Sequence, residues 1–202
     1  MRQVCAILPA ALFAISFGAV PARGGPSVTL ILQFDEAYST DSLNAMKHEV
    51  ASIVGRSGVR FDWKMINDVR PSDSFENLVV VHFHGACLME QTASLPDERG
   101  YYAFTHTSNG SVLPFSEVEC DKIRSSIRPA MTSQQWQRGN AVFGRALGRV
   151  VAHELFHMLA KTESHAHSGV TKTSLTPEQL ISENLPMAAP DLDRLRRQKN
   201  RP

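Results

Sequence analysis

One long amphipathic helix is the strongest constraint that the sequence places on the fold. Between Ala141 and Lys161 the apolar residues recur at steps of three, four and seven, which is the spacing of one face of an α-helix. These residues are Phe143, Leu147, Val150, Val151, Met158 and Leu159. Gly139, Gly144 and Gly148 each lower helix stability by up to about 1 kcal/mol, and they permit close packing against a neighbouring strand. The pattern predicts a central helix over 141–161.

The same helix carries the run His153-Glu154-Leu155-Phe156-His157. Two histidines four residues apart lie on one helix face, so both imidazoles can reach a single metal ion. Glu154 follows the first histidine, where its carboxylate can take a proton from a metal-activated water that attacks a carbonyl group. The pattern indicates a zinc site with a built-in general base, and it requires a third ligand from elsewhere in the chain.

Four residues downstream are candidates for the third ligand. Glu163, His165 and His167 follow the helix closely, and Glu178 lies on the next predicted helix, which Thr176 caps. A glutamate on the following helix would make the site thermolysin-like. The residue types alone leave this choice open, because both histidine and glutamate bind zinc.

The segment from Gly144 to Lys172 resembles the metzincin zinc peptidases, whose pattern is HExxHxxGxxH. Ala160 stands where that pattern has glycine, and Glu163 stands where it has the third histidine. The similarity is closer to a metzincin-like group of secreted bacterial proteins, in which the third histidine comes eight residues after the second. The resemblance therefore implies that His165 is the third zinc ligand.

The resemblance also implies a fold and an activity. Metzincins are α+β proteins with a mixed twisted sheet over a long active-site helix and a short helical C-terminal part, and they hydrolyse peptide bonds. They place a methionine in a turn below the metal, but the comparable position here is Thr171, which leaves Met187 as a displaced counterpart. No tyrosine follows Tyr102 to stabilise an oxyanion. A zinc endopeptidase is the leading interpretation, and a non-catalytic zinc-stabilised binding domain is the alternative.

The segments before the zinc helix predict a mixed sheet. Their order is strand, helix, strand, strand, which implies a right-handed crossover, and the last of them is a continuous apolar run typical of a strand buried on both faces. The predicted elements are Ser27–Phe34, Thr40–Val54, Val59–Ile66 and Leu78–Phe83. His82 and His84 lie on one side of the last strand. They could bind a second metal ion, although such pairs are more often ordinary strand residues.

Met89–Arg99 is polar and irregular and is predicted to be a loop. A hairpin is predicted between this loop and the zinc helix. Its strands are Tyr102–Thr107 and Ser111–Val118, joined at Asn109-Gly110, a strong hairpin signal. Pro114 cannot donate to a strand ladder, so Ser111–Val118 is predicted to lie at the sheet edge. In metzincins the edge strand before the active-site helix pairs with the extended substrate, and the strand order gives that role to Ser111–Val118.

The chain begins with a segment that has the form of a secretory signal peptide. Arg2 is followed by an apolar run and then by small residues that end at Ala22, so cleavage is predicted before Arg23. The run is too short and too interrupted for a stable membrane anchor. These features predict a secreted or periplasmic protein with one metallopeptidase-like domain over residues 23–202.

Cleavage at that point would remove Cys5 and leave Cys87 and Cys120. An even number of cysteines in an exported protein predicts that the two are bonded to each other. The 202-residue chain has a net charge of +1 and is 43% hydrophobic, which suits a single globular domain and gives no support for nucleic-acid binding. The predicted partner is therefore a peptide or protein substrate.

Overall fold

The computed structural model describes residues 27–90 and 100–199. The predicted signal peptide, Met1–Ala22, lies outside these residues, as does most of the predicted loop before the hairpin. The strands are β1 (Ser27–Phe34), β2 (Arg60–Met65), β3 (Leu78–His84), β4 (Ala103–Ser108) and β5 (Ser111–Glu119). The helices are α1 (Thr40–Val54), α2 (Cys120–Ile127), α3 (Ser133–Trp136), α4 (Gly139–Ala160), α5 (Pro177–Ile181) and α6 (Ala189–Lys199).

The five strands form one mixed sheet in the order β2-β1-β3-β5-β4. The first four strands in this order are parallel, and β4 pairs with β5 in the antiparallel direction. The predicted α+β class and mixed sheet are confirmed. The hairpin is confirmed as well, because Asn109 and Gly110 both have positive φ, as a tight two-residue turn between antiparallel strands requires.

The prediction that β5 is the edge strand is wrong, because β5 lies between β3 and β4. Pro114 is accommodated in the interior for two reasons. The pairing of β5 with β3 begins only at Phe115, so β3 needs no hydrogen bond from Pro114. On the other side, the register with β4 shifts between Thr105 and Thr107, and the resulting bulge contains Pro114. The edge strands of the sheet are therefore β2 and β4, and β4 is the edge strand that contacts α4.

One face of the sheet packs on the helices and the other does not. In β3 the residues Val79, Val81 and Phe83 belong to the core, whereas His82 and His84 are only half-buried on the opposite face. The prediction of a strand buried on both faces is therefore wrong for β3. Helices α1 and α4 cover the core face, and α4 contacts β3, β4 and β5. This packing places the middle of α4 beside the edge strand β4.

Gly144 and Gly148 of α4 allow close contact with helix α1, and not with a strand as the sequence suggested. A Cβ atom at Gly144 would lie 2.3 Å from the carbonyl oxygen of Ser42, and one at Gly148 would lie 2.6 Å from Cβ of Glu49. Side chains at these positions would force the helices apart. The two glycines therefore set the distance between α1 and α4.

The predicted disulfide between Cys87 and Cys120 is present, and both residues are buried. Cys87 follows β3 and Cys120 begins α2, so the bond connects two segments at the same end of the sheet. In the described part of the chain, no helix has both the length and the apolar character needed to cross a membrane.

Candidate metal centre

Three histidines predicted as ligands come together beside the exposed edge of the sheet. His153 and His157 lie one turn apart on α4, and His165 follows that helix. One ligand atom from each of the three lies within 4.8 Å of the others. His157 is buried, His153 is half-buried and His165 is exposed, so the group is open to solvent on the side of His165.

The proton positions on the first two histidines follow from their hydrogen bonds. His153 Nδ1 lies 2.9 Å from the carbonyl oxygen of Val170, and His157 Nδ1 lies 2.7 Å from that of Thr162. A carbonyl oxygen only accepts, so each Nδ1 donates its proton and each neutral ring presents a lone pair at Nε2. The two Nε2 atoms face each other at 3.0 Å. Two lone pairs at this distance repel each other unless a cation binds both.

Burial keeps these rings neutral and therefore able to bind a metal ion. It lowers the pKa of His153 to about 4, and it also lowers the pKa of His157 below its usual value. Two ligand atoms bound to a tetrahedral zinc ion at 2.0–2.1 Å lie about 3.3 Å apart, close to the separation of the two Nε2 atoms. The donor set and its geometry fit Zn²⁺.

A chain reversal after α4 brings the third histidine back to the helix. Lys161 has a left-handed conformation with φ of 50°, which ends the helix at Ala160. Ala166 and Lys172 then form a bridge, so the segment between them turns back on itself. His165 precedes this bridge, and its ring centroid lies 4.7 Å from that of His157. The glycine of the metzincin pattern is not needed here because Lys161 supplies the left-handed residue.

The segment around Val170, which contacts His153, is itself held by hydrogen bonding to the segment around Pro186. Val170, whose carbonyl oxygen faces His153, donates its backbone N–H to the carbonyl oxygen of Pro186 at 3.0 Å. Gly169 has φ of 76°, and a Cβ atom there would lie 2.4 Å from the same oxygen, so only glycine fits. Met187, which follows Pro186, and Thr171, which follows Val170, are both buried. The Thr171 hydroxyl donates a hydrogen bond to Asp191.

Glu154 is buried next to the three histidines and touches the edge strand. The Thr105 hydroxyl of β4 donates a hydrogen bond of 2.6 Å to Glu154 Oε2. Burial raises the pKa of Glu154 to about 7, and the hydrogen bond from Thr105 opposes this rise. A carboxyl group with this pKa can both accept and release a proton near neutral pH. The sequence did not indicate Thr105, because the contact depends on where β4 meets α4.

Two adjoining cavities of about 330 and 310 Å³ lie between β4 and α4, and both are lined by His153 and Glu154. The first also borders His157 and His165, and the second extends toward Lys172. A groove therefore runs along the edge strand and passes Glu154.

The rival ligands occupy different positions. Glu163 borders the same cavity as the three histidines, and its charge raises the pKa of His157 against the lowering effect of burial. His167 and Glu178 are both exposed, and neither joins a group of three possible ligands among the described residues. The geometry thus favours His165 over Glu178, and leaves Glu163 as the nearer alternative.

No protein-family model and no curated protein matches this sequence. The solved structures that match include the crystal structure of archaemetzincin (amzA) from Methanopyrus kandleri. The two chains are 11% identical, and the match covers 90% of this chain and 99% of that chain with a TM-score of 0.52. At this identity the likeness concerns the fold alone. The protein has a metzincin-like fold of the zincin class.

Proposed function

We propose that the protein is an exported zinc-dependent endopeptidase, with His153, His157 and His165 as zinc ligands and Glu154 as the general base. The observation that carries this proposal is the pair of Nε2 lone pairs that face each other at 3.0 Å beside a buried carboxyl group. The disulfide supports export, because such bonds persist in oxidising compartments. The metzincin-like fold supports the class of reaction.

The chain's own residues would divide the chemistry as follows. A bound zinc ion would supply Lewis acidity, for polarising the scissile carbonyl and for making water acidic enough to react near neutral pH. The Glu154 carboxylate takes a proton from the attacking water and passes it to the departing amine. Thr105 holds Oε2 of this carboxylate, so the other oxygen is available for proton transfer.

The exposed edge of β4 is the proposed platform for the substrate, in place of β5. An extended peptide can add to a free strand edge through backbone hydrogen bonds, which bind without a strong sequence preference. The cavities on the two sides of Glu154 would let a bound chain continue in both directions. This arrangement supports cleavage within a chain more than removal of a terminal residue.

The test compares zinc content and hydrolysis of an unstructured protein in matched variants. His165→Ala should lose zinc affinity sharply, because one of three protein ligands is removed. Glu154→Gln should keep zinc and lose activity by about 100-fold or more, the scale of a general base. His167→Ala is the control, since it removes an exposed imidazole two residues away, and it should match the wild type.

Two outcomes would contradict the proposal in different ways. If His165→Ala retains full zinc while Glu163→Ala or Glu178→Ala loses it, the ligand assignment is wrong. If the wild type binds zinc but cleaves no unstructured protein or peptide library, the non-catalytic binding domain replaces the peptidase.

A further inference from the structure

A second group of possible metal ligands lies on the face of the sheet opposite α4. His82 and His84 alternate with the core residues of β3, so their side chains point away from the helices. Asp35 directly follows β1, and its backbone N–H donates to the carbonyl oxygen of Phe83 at 3.1 Å. The pairing of β1 with β3 thus places Asp35 beside the two histidines.

The side chains of these three residues converge on one point. His82 Nε2 lies 2.5 Å from Asp35 Oδ1, and His84 Nδ1 lies 2.7 Å from Asp35 Oδ2. One ligand atom from each residue lies within 4.8 Å of the others, as is also true of the three histidines near α4. The sequence showed the two histidines of β3, but it could not show that Asp35 lies between them.

A fourth residue orients one of the histidines. His84 Nε2 is buried and has no hydrogen bond to a described residue, but it lies 3.3 Å from Glu117 Oε2. Glu117 is held on its other side by His106, whose Nε2 lies 3.0 Å from Oε1. Without a metal ion, His82 Nε2 and His84 Nδ1 donate their protons to the Asp35 carboxylate, which only accepts, so a metal ion would bind by displacing these two protons. A carboxylate behind a histidine keeps the proton on the far nitrogen, and this leaves the near nitrogen for the metal ion once its own proton is displaced. His84 Nδ1 is the near nitrogen here.

We propose that Asp35, His82 and His84 bind a divalent transition metal ion of the Zn²⁺ class, and that Glu117 orients His84. Two imidazoles and one carboxylate suit zinc, cobalt or copper better than magnesium or calcium, which prefer oxygen ligands. Ligand atoms around tetrahedral zinc are about 3.3 Å apart, so the Asp35 carboxylate must withdraw by less than about 1 Å. That side chain is 41% exposed and is free to do so.

The metal ion would strengthen a junction that backbone hydrogen bonds already hold and that lies close to the disulfide. It would join the end of β1 to the end of β3, three residues before Cys87 of the disulfide. The backbone of Cys87 also accepts from Ser39 N at 3.2 Å and donates to Ala37 O at 2.8 Å. The ion would brace the same two chain segments as these backbone hydrogen bonds, and the disulfide ties the second segment to α2, so we assign this site a structural role.

Metal stoichiometry of the tag-free protein tests this proposal. After treatment with a chelator, the protein is titrated with Zn²⁺, and separately with Co²⁺, whose absorption spectrum reports its ligands. The wild type should bind two equivalents, and Asp35→Asn and His84→Ala should each bind one. His48→Ala, which removes an exposed imidazole from α1, should bind two. Glu117→Gln should weaken the second site by about 10–100-fold.

The second metal site can be tested separately from the proposed peptidase site. In a His153→Ala/His157→Ala background, the remaining equivalent should raise the melting temperature by about 5–10 °C at a 100-fold excess over Kd, and Asp35→Asn should abolish that rise. If His84→Ala and Asp35→Asn bind as much metal as His48→Ala, the second site does not exist. The wild type could instead bind a single equivalent that His84→Ala loses and His153→Ala/His157→Ala keeps. That result would support the second site and contradict the proposed catalytic site.

Discussion

Replacing Gly144 with alanine tests directly how the zinc helix is held against its neighbour. The added Cβ would lie 2.3 Å from the carbonyl oxygen of Ser42, 2.8 Å from Cα of Ser42 and 2.8 Å from Cβ of Ala45. All three separations are under 3.0 Å, so α1 or α4 must shift. Rotation of a side chain cannot relieve the contact, because two of the atoms belong to the backbone of α1.

Two effects of opposite sign determine the magnitude. Overpacking of a core contact costs about 1–3 kcal/mol, and contact with rigid backbone favours the upper end, about 3 kcal/mol. Alanine also stabilises a helix by about 1 kcal/mol relative to glycine. The net loss in the free energy of unfolding is therefore about 2 kcal/mol, which lowers the melting temperature of a domain this size by about 4–8 °C.

Urea and thermal unfolding, followed by circular dichroism, measure this loss, and two further glycines provide a graded comparison. At Gly148 an added Cβ would lie 2.6 Å from Cβ of Glu49 and 2.9 Å from the carbonyl oxygen of Met46; both contacts are longer than the 2.3 Å contact at Gly144, so the loss for Gly148→Ala should be smaller. Gly55→Ala is the control, because nothing lies within 4 Å and φ is −58°. That change should stabilise the protein by about 0.5–1 kcal/mol. A Gly144→Ala protein as stable as the wild type would refute the close helix contact.

Three further changes have defined outcomes. Thr105→Val keeps the side-chain shape but removes the hydrogen bond that lowers the pKa of Glu154. Hydrolysis should fall by about 10–100-fold, and the acid limb of its pH profile should move to higher pH. An unchanged pH profile would exclude this positioning role. Cys87→Ala/Cys120→Ala should lose about 3–4 kcal/mol of unfolding free energy on the chain-entropy model, checked by urea titration against the oxidised wild type. In metal-free protein the folded state binds fewer protons at His153 than the unfolded state as the pH falls from 6.5 to about 4, which costs about 3 kcal/mol, whereas Glu154, with a pKa of about 7, binds more protons in the folded state and opposes this loss. The His153→Asn protein should therefore lose about 3 kcal/mol less stability than the wild type over this range, measured by urea titration at each pH.

Local sequence patterns predicted most of the elements closely. The bounds of β1 and α1 match the predictions, and α4 begins two residues earlier and ends one residue earlier than expected. The predicted cap at Thr176 is confirmed, and it starts the short helix α5. These features depend on residues within one or two turns of each other, and such interactions are encoded in consecutive sequence.

In the candidate site, too, some features follow from local sequence and others depend on tertiary contacts. The geometry of a helix alone places His153 and His157 one turn apart, so their proximity follows from the sequence. The position of His165 depends on how the chain reverses after Lys161, and only the resemblance to metzincins suggested it. Thr105 reaches Glu154 across 49 positions of sequence, and no local pattern marks such a contact.

The sequence by itself therefore determined α1 and α4, the hairpin, the pair of histidines on α4 and the pairing of two cysteines. Only the tertiary structure decided that β5 lies inside the sheet, since strand order depends on hydrogen bonds between segments far apart in the chain. It also decided that glycines of α4 meet a helix and that Asp35 lies beside His82 and His84. Each of these depends on which distant segments come into contact, and hydrophobic periodicity identifies a buried face without identifying its partner.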